Sequence, residues 1–466
     1  MGASIACEMP PVQRSLPART TLADLISGLS YGLDLAQAQP MGHAVRSCLI
    51  GLRIAEELRL SQDEKTCLYY TGLLKDAGGS ANASKIFHRF GGDEIAAKRE
   101  MSLADCSRIG WDGFHYAVQH VSREAPFFLR ARNLVRAGAK RKIWARELIG
   151  LRSEQGAEAA RQMGFRAGIG GAIGAVAEHW DGGGYPHGLA GGEIPLAARI
   201  VSLAQTLEVF YTHRCPKRAL DVVRERTKTW FDPELAAAAL ELSRRGALFA
   251  DLETGRTREA LIAAEPAPEP LSEARVDSVC RAFANIVDAK SPFTSGHSEG
   301  VARAAEHIAG ALGMTAAERR SVRRAALLHD LGKLALPNSI LEKPDKLEPG
   351  EWQAAKKHPF HTLEILRPIG GFGEIAEIAA SHHEKLNGSG YYRNLTAARL
   401  PLPARVVTVA DVFGALLSKR PQRDAYAPEK AGEILRSEAG RLLDGDCVEA
   451  LLSSNLRIFG SEARSA

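Results

Sequence analysis

At 466 residues the chain is long enough for two or three domains, each burying its own core. Its composition, 45% apolar and 25% charged, is that of an ordinary globular protein and excludes a disordered or fibrous chain. A net charge of +5 is mild for this length: it does not call for nucleic acid or a membrane surface, though it suits an anionic ligand.

Residues 1–20 hold Pro and Arg without a sustained apolar run, so a short tail is expected rather than a signal peptide. The pattern then turns helical. In GHAVRSCLIGLRIAEELRL, Val45, Cys48, Leu49, Leu52, Ala55 and Leu58 recur at three- and four-residue steps. Further on, Arg130, Arg132, Arg136, Lys140, Arg141, Lys142 and Arg146 form a basic cluster. No aromatic–basic alternation or DNA-reading module accompanies it, so it reads as a solvated helix face and nucleic acid is not an expected partner. The Pro- and Glu-rich stretch 253–274 reads as a linker between domains at 21–252 and 275–466. Beyond it, Val301, Ala305, Ile308 and Leu312 again keep helical spacing, and PLPARVVTVADVFGALL reads as a buried helix. Alternating strand patterns are scarce, so an all-α fold is expected. No apolar run approaches the roughly 18 residues a spanning helix needs. Seven scattered cysteines without a CxxC pair read as reduced thiols, and a cytoplasmic location follows.

The two halves form a diverged repeat. His43 and His297 are 254 positions apart, as are Asp76 in GLLKDAGG and Asp330 in ALLHDLGK. At the glycine loops, DGGGYP and NGSGYY, the offset becomes 206 (Tyr185 against Tyr391), and it stays there into PLAARIVSLAQ against PLPARVVTVAD. The first half therefore carries 48 additional residues, placed within roughly 80–165.

Chemistry concentrates in the second half. His329 and Asp330 stand near a helix end, and neighbouring helical residues point about 100° apart, so the pair can flank a metal centre with the carboxylate bridging two ions. Lys333 follows at i+3 from Asp330, on the same side, where a cation would grip a phosphate. His297, His358, His382, His383 and Asp411 supply further ligands at helix ends, with Pro359 placing His358 at a junction. Five histidines and two carboxylates exceed one tetrahedral zinc. They suit two divalent first-row ions with mixed N/O ligation, and a pair about 3.5–4 Å apart can activate water and clamp a phosphodiester. His307 and His361, outside any such pattern, read as surface or core residues.

The ordered set Gly296-His297-Ser298, His329-Asp330-Leu331-Gly332-Lys333, His358-Pro359, His382-His383-Glu384, Gly388-Ser389-Gly390-Tyr391 and Asp411 resembles the HD-GYP family of the HD-superfamily phosphohydrolases, over about residues 276–455. The resemblance implies two tandem HD-type helical domains and an iron or manganese centre held by those histidines and aspartates. It further implies hydrolysis of cyclic di-GMP to pGpG or GMP, with Lys333 on the phosphate. Arg420 and Arg423, in a segment similar to the family's Arg-Pro stretch, become candidates for the second phosphate or a guanine, or else for an ordinary helix C-terminus. Tyr391 is a candidate for stacking on a base, or packs the loop. Members with three ions carry a glutamate four positions before the first histidine. Phe293 stands there in this chain, which implies two. Asn387 and Tyr392 replace the usual Asp and Pro of the glycine loop, a change expected to relax it and alter substrate choice or rate.

The first half keeps His43 and Asp76 but has Lys75, Gly79, Val176, Ala177 and Gln205 where His329, Lys333, His382, His383 and Asp411 stand in the second. His179, Asp181 and His187 do not restore a ligand set. Lys75 is expected to pair with Asp76 where a metal would sit, leaving a structural or regulatory domain and a surface for a protein partner. The alternatives to cyclic di-GMP hydrolysis are another cyclic dinucleotide such as cyclic GMP-AMP, a linear nucleotide, or a sensor that binds cyclic di-GMP without cleaving it.

Overall fold

The computed structural model describes residues 20–90, 94–103, 127–268 and 271–453. Residues 1–19 of the tail expected over 1–20 lie outside the described residues, as do the side chains of the basic cluster from Arg130 to Lys142. Among the described residues the fold is all-α, with isolated bridges in place of any sheet. No helix among them is long and apolar enough to cross a membrane. Cys48, Cys67, Cys215, Cys280 and Cys447 are free thiols.

The repeat is visible in how helices start. Helix Gln62–Leu74 opens on a capping box of Ser61 and Glu64, and helix Ala316–Leu328 opens on the matching Thr315 and Glu318. Helices His43–Glu57 and His297–Ala311 both follow a glycine in the left-handed region, Gly42 at φ 89° and Gly296 at φ 68°. In each copy a buried aspartate from the preceding helix reaches the new N-terminus. Asp34 accepts from the Gly42 and Ala44 amides at 2.7 and 3.0 Å, and Asp288 accepts from the Ser298 amide and hydroxyl at 2.9 and 2.7 Å. These anchors fix the angle at which His43 and His297 enter their centres.

The halves share one buried core. Helix Leu22–Ala36 of the first half packs on the second: a Cβ on Gly28 would sit 2.3 Å from Ile369, and one on Gly32 would meet Leu334 and Leu331 at 3.2 and 3.3 Å. Asp24 accepts from the Gly370 amide at 2.9 Å, and Arg258, from the 253–274 stretch, joins Asp24 to the Pro368 carbonyl. That stretch forms a helix, Thr257–Ala263, packed on the first half through the buried Leu261.

The extra residues of the first half make a third junction. Helix Glu94–Leu103 buries the Glu94 carboxylate against the Lys290 ammonium at 3.1 Å and the Asn338 amide at 2.9 Å. Lys98, one turn on, donates to the carbonyls of Ala36 and Gly79 in the first half. Lys290 lies seven residues before His297 and Asn338 five after Lys333, so the insertion braces both segments that lead into the second centre.

Candidate metal centre

Five separate segments bring the seven proposed ligands together. His329 closes helix Ala316–Leu328, and Asp330 leads into the 3-10 turn Leu331–Ala335 that carries Lys333. Helix Pro349–Ala355 breaks before His358, which opens helix His358–Leu366 with Pro359 in its first turn. His382 and His383 follow helix Gly373–Ala379, and His297 is the first residue of its own helix. Asp411 departs from the expectation of ligands at helix ends: it lies inside helix Leu402–Leu417. The middle of that helix, from Val406 to Asp411, is buried, and it faces the others.

A glycine makes the approach possible. A Cβ at Gly332 would sit 2.0 Å from the His358 carbonyl oxygen, so no other residue lets the two segments meet. Thr362 locks them, accepting from the Gly332 amide and donating to the His329 carbonyl, both at 2.9 Å.

The ligand atoms converge. His297 Nε2 lies 3.2 Å from Asp411 Oδ1 and 3.8 Å from Asp330 Oδ2. His329 Nε2 lies 3.2 Å from Asp330 Oδ2 and 3.6 Å from Asp411 Oδ1. On the other side of Asp330, His358 and His382 approach Oδ1 at 3.5 and 3.7 Å, while His383 Nδ1 is 3.8 Å from Asp411 Oδ2. Each of three sets (His297, His329, Asp330; His329, His382, Asp411; His358, His382, His383) offers ligand atoms within 4.8 Å of one another.

The rings are also aimed. His329, His358 and His382 each donate Nδ1–H to the carbonyl three residues earlier, Ala326, Ala355 and Ala379, at 2.7, 2.7 and 2.6 Å. That bond turns Nε2 of each ring into the centre, as a lone pair on the neutral His358 and His382. Burial holds His358 at about 4 and presses His297, His382 and His383 below the usual histidine range, so they stand as neutral imidazoles, the form that binds metal. Burial also disfavours a charge on His329, but Asp330 and Asp411 more than offset it and push that ring up to about 10. Burial opposes a charge on the two aspartates, but His329, with Lys333 beside Asp330 and a hydrogen bond from His297 to Asp411, holds both well below the carboxylate range.

This set fits divalent cations. His297 Nδ1 and Nε2, His329 Nε2 and Asp330 Oδ1 are buried without a hydrogen-bond partner among the described residues, each at a cost of about 1–3 kcal/mol unless something binds there. The donors are imidazole and carboxylate, matching first-row metals.

Of the proposed substrate contacts, Lys333 lies at the rim, its ammonium 2.5 Å from Asp330 Oδ2. The Tyr391 ring lies 4.7 Å from His383 and 6.5 Å from His358. Arg423 is placed otherwise: its guanidinium donates to the carbonyls of Ala415, Leu416, Ser418 and Asp424, closing the end of helix Leu402–Leu417, which leaves it the helix-terminus role. Arg420 is tied to Arg423 through backbone bonds, and its side chain forms none among the described residues.

The first half shows what fills the same frame without ligands. Lys75 and Arg152 both pair with Asp76, all three in contact below the solvent surface or at its edge. Arg152 occupies the place of His358, since a Cβ on Gly78 would strike the Arg152 carbonyl as one on Gly332 strikes that of His358. His43 donates to Glu208, which also takes Arg46 Nε at 2.6 Å. Glu208 stands opposite Gly414, whose added Cβ would lie 3.4 Å from the His297 ring. The Lys75–Asp76 pair follows from the sequence; Arg152 and Glu208 do not, although carrying the 206-residue register upstream to His358 and downstream to Gly414 points to both.

The comparisons with known proteins agree with this geometry. The HD domain family matches residues 140–235 and 281–447, taking in parts of both halves. The chain is 36% identical over 432 residues to the 3′3′-cGAMP-specific phosphodiesterase 3 of Vibrio cholerae, covering 92% of this chain and 94% of that protein. It is 40% identical over 178 residues to the cyclic di-GMP phosphodiesterase response regulator RpfG of Xanthomonas campestris, which covers 38% of this chain and 47% of that one. The crystal structure of the Vibrio cholerae cyclic GMP-AMP specific phosphodiesterase V-cGAP3 superposes with a TM-score of 0.63 at 32% identity, over 93% of this chain and 97% of that one. The chain belongs to the HD-domain family, in its HD-GYP branch of metal-dependent phosphohydrolases.

Proposed function

We propose that the protein is a metal-dependent phosphodiesterase of cyclic dinucleotides, with 3′3′-cyclic GMP-AMP as its preferred substrate. The observation that carries the reaction class is the convergence of His297, His329, Asp330, His358, His382, His383 and Asp411, with three imidazoles oriented by their own backbone. The choice of substrate is supported by similarity over nearly the whole chain to a phosphodiesterase named for cyclic GMP-AMP, whereas the match to the cyclic di-GMP phosphodiesterase RpfG covers 38% of the chain.

Those seven residues would hold two divalent ions, iron or manganese, which when bound supply Lewis acidity and an activated water. Two carboxylates would offset only part of the charge of two such ions, and the net positive charge that remains would draw in an anionic phosphodiester. The chain's own contribution is placement. Lys333 adds a cation at the rim, where its Nζ can leave Asp330 for a phosphate oxygen and neutralise charge as it develops. His297, His329, Asp330, His358, His382 and Asp411 are all buried, which keeps most bulk water from the centre.

Incubating metal-loaded protein with 3′3′-cyclic GMP-AMP and with cyclic di-GMP, and separating products by chromatography, tests this. Linear dinucleotide or mononucleotide is expected from the first, faster than from the second. His329→Ala and Asp330→Ala should each lower turnover by at least about 10³-fold while helical content is kept. Unchanged turnover in either variant refutes the assignment.

A further inference from the structure

Two exposed aromatic side chains flank His358. Trp352, on helix Pro349–Ala355, is 45% exposed, and Phe360, in the first turn after His358, is 42% exposed. Each meets one tyrosine of the glycine loop at 5.8 Å between ring centres, Trp352 with Tyr391 and Phe360 with Tyr392. Tyr391 in turn contacts His383 at 4.7 Å. An aromatic path therefore runs from a ligand of the metal centre, through Tyr391, outward to Trp352. The Lys356 ammonium stands 5.8 Å from the indole, at the limit of a cation–π contact, and the ring still keeps nearly half its surface open.

The repeat provides a control within the same molecule. In the register that sets Arg152 opposite His358, Arg146 stands opposite Trp352 and Glu154 opposite Phe360, both exposed and polar. The first copy keeps the tyrosine, Tyr185, and the helix beside it. The fold itself thus does not ask for an aromatic side chain at either place, and only the copy with a ligand cluster has them.

We propose that Trp352 is a substrate-binding residue that stacks on one nucleobase of the cyclic dinucleotide while a phosphate of that nucleotide occupies the centre. This rests on the function proposed above and adds the subsite that reads the base. A purine offers a flat face of indole size, and base–aromatic stacking tolerates any base because every base has a π-face. The subsite therefore contributes affinity for purine dinucleotides in general, and choice between guanine and adenine falls to hydrogen-bonding groups elsewhere.

The test uses the metal-loaded full-length protein as wild type, Trp352→Ala and Trp352→Phe, with 3′3′-cyclic GMP-AMP and cyclic di-GMP as substrates. Trp352→Ala should raise KM about tenfold or more for whichever dinucleotide the wild type cleaves. Its kcat at saturation should stay within about threefold of wild type, with metal content unchanged. Trp352→Phe, which keeps an aromatic face, should hold KM within about threefold. Turnover with KM unmoved in Trp352→Ala overturns the subsite alone, and so does a fall in kcat and metal content together, which would mark the residue as part of the scaffold. A metal-loaded wild type that cleaves neither dinucleotide overturns the substrate reading and this proposal with it.

Discussion

In the first copy Asp76 is met by Lys75 and Arg152; in the second the matching Asp330 is met by His329 and His358. Around these pairs the frame is the same: a capping box four turns upstream, a left-handed glycine before the histidine helix, and a glycine pressed against a carbonyl. What differs is where the positive charge comes from. The first copy builds it into the chain, as an ammonium and a guanidinium. The second has only Lys333 at its rim and the charged His329 ring against two carboxylates, and adds four neutral imidazoles, a donor set that fits ions from solution. A buried carboxylate can be stabilised either way, but only the second way leaves positions open to a substrate.

The comparison is broken most severely by moving the first solution into the second site. His329→Lys combined with His358→Arg should place an ammonium and a guanidinium on Asp330, as Lys75 and Arg152 lie on Asp76. Metal content should fall towards zero and turnover by more than about 10³-fold. The melting temperature, which added metal should raise in the wild type through preferential binding to the folded chain, should no longer respond to it. Metal analysis and calorimetry with and without manganese check this. Retained metal in a folded double variant, or a chain that no longer folds, would show that the two kinds of charge are not interchangeable.

A smaller effect tests the first copy on its own terms. Burial opposes a charge on Glu208, but His43 and Arg46 overcome it and bring its pKa from 4.5 down to about 2. A carboxyl depressed on folding lends stability above its unfolded pKa, and that stability drains away as pH falls from about 4.5 towards 2. At about 1.4 kcal/mol per unit this amounts to about 3 kcal/mol at most. Glu208→Gln should therefore be less stable than wild type at neutral pH and converge with it in acid, as read from urea midpoints across the pH range. Parallel curves would mean that the His43–Glu208–Arg46 cluster does not carry this charge energy.

The two centres were unequally legible in the sequence. The second could be read because each ligand comes with local company: His-Asp followed by Gly-Lys, His before Pro, paired histidines before a glycine loop. Helical periodicity likewise announced the all-α fold. The first centre was legible at His43, Lys75 and Asp76, which keep motif positions, but not at Arg152 and Glu208, whose positions carry no motif. Arg152 lies deep in the long helix Phe127–Gln162, and Glu208 replaces a glycine. Nothing local marked Glu94 either; a lone acidic residue at a helix start is ordinary until the fold buries it against Lys290. Arg423 was ambiguous in sequence because a cation after a helix suits a phosphate and a row of carbonyls equally, and it is the carbonyls that it meets.

The finest difference between the copies lies in the glycine loops, where the sequence suggests that Asn387, standing for Asp181, loosens the turn. The hydrogen bonds argue otherwise. Asp181 accepts from the Gly183 amide at 2.8 Å, and Asn387 accepts from the Ser389 amide at 3.0 Å and its hydroxyl at 2.7 Å, so the side-chain oxygen does the same work in both. Below the loop, Glu178 gathers the amides of His187, Gly188 and Leu189, and Glu384 those of Arg393 and Leu395. Gly182 and Gly388 share a φ of 78°, and a Cβ on Gly184 or Gly390 would come within 2.5 Å of the backbone beneath. With this frame intact, Asn387→Asp should leave KM and kcat within about threefold of wild type, since one turn acceptor merely replaces another. A change beyond tenfold would mean that the amide itself touches the substrate, because the turn it holds is already the one the aspartate makes in the first copy.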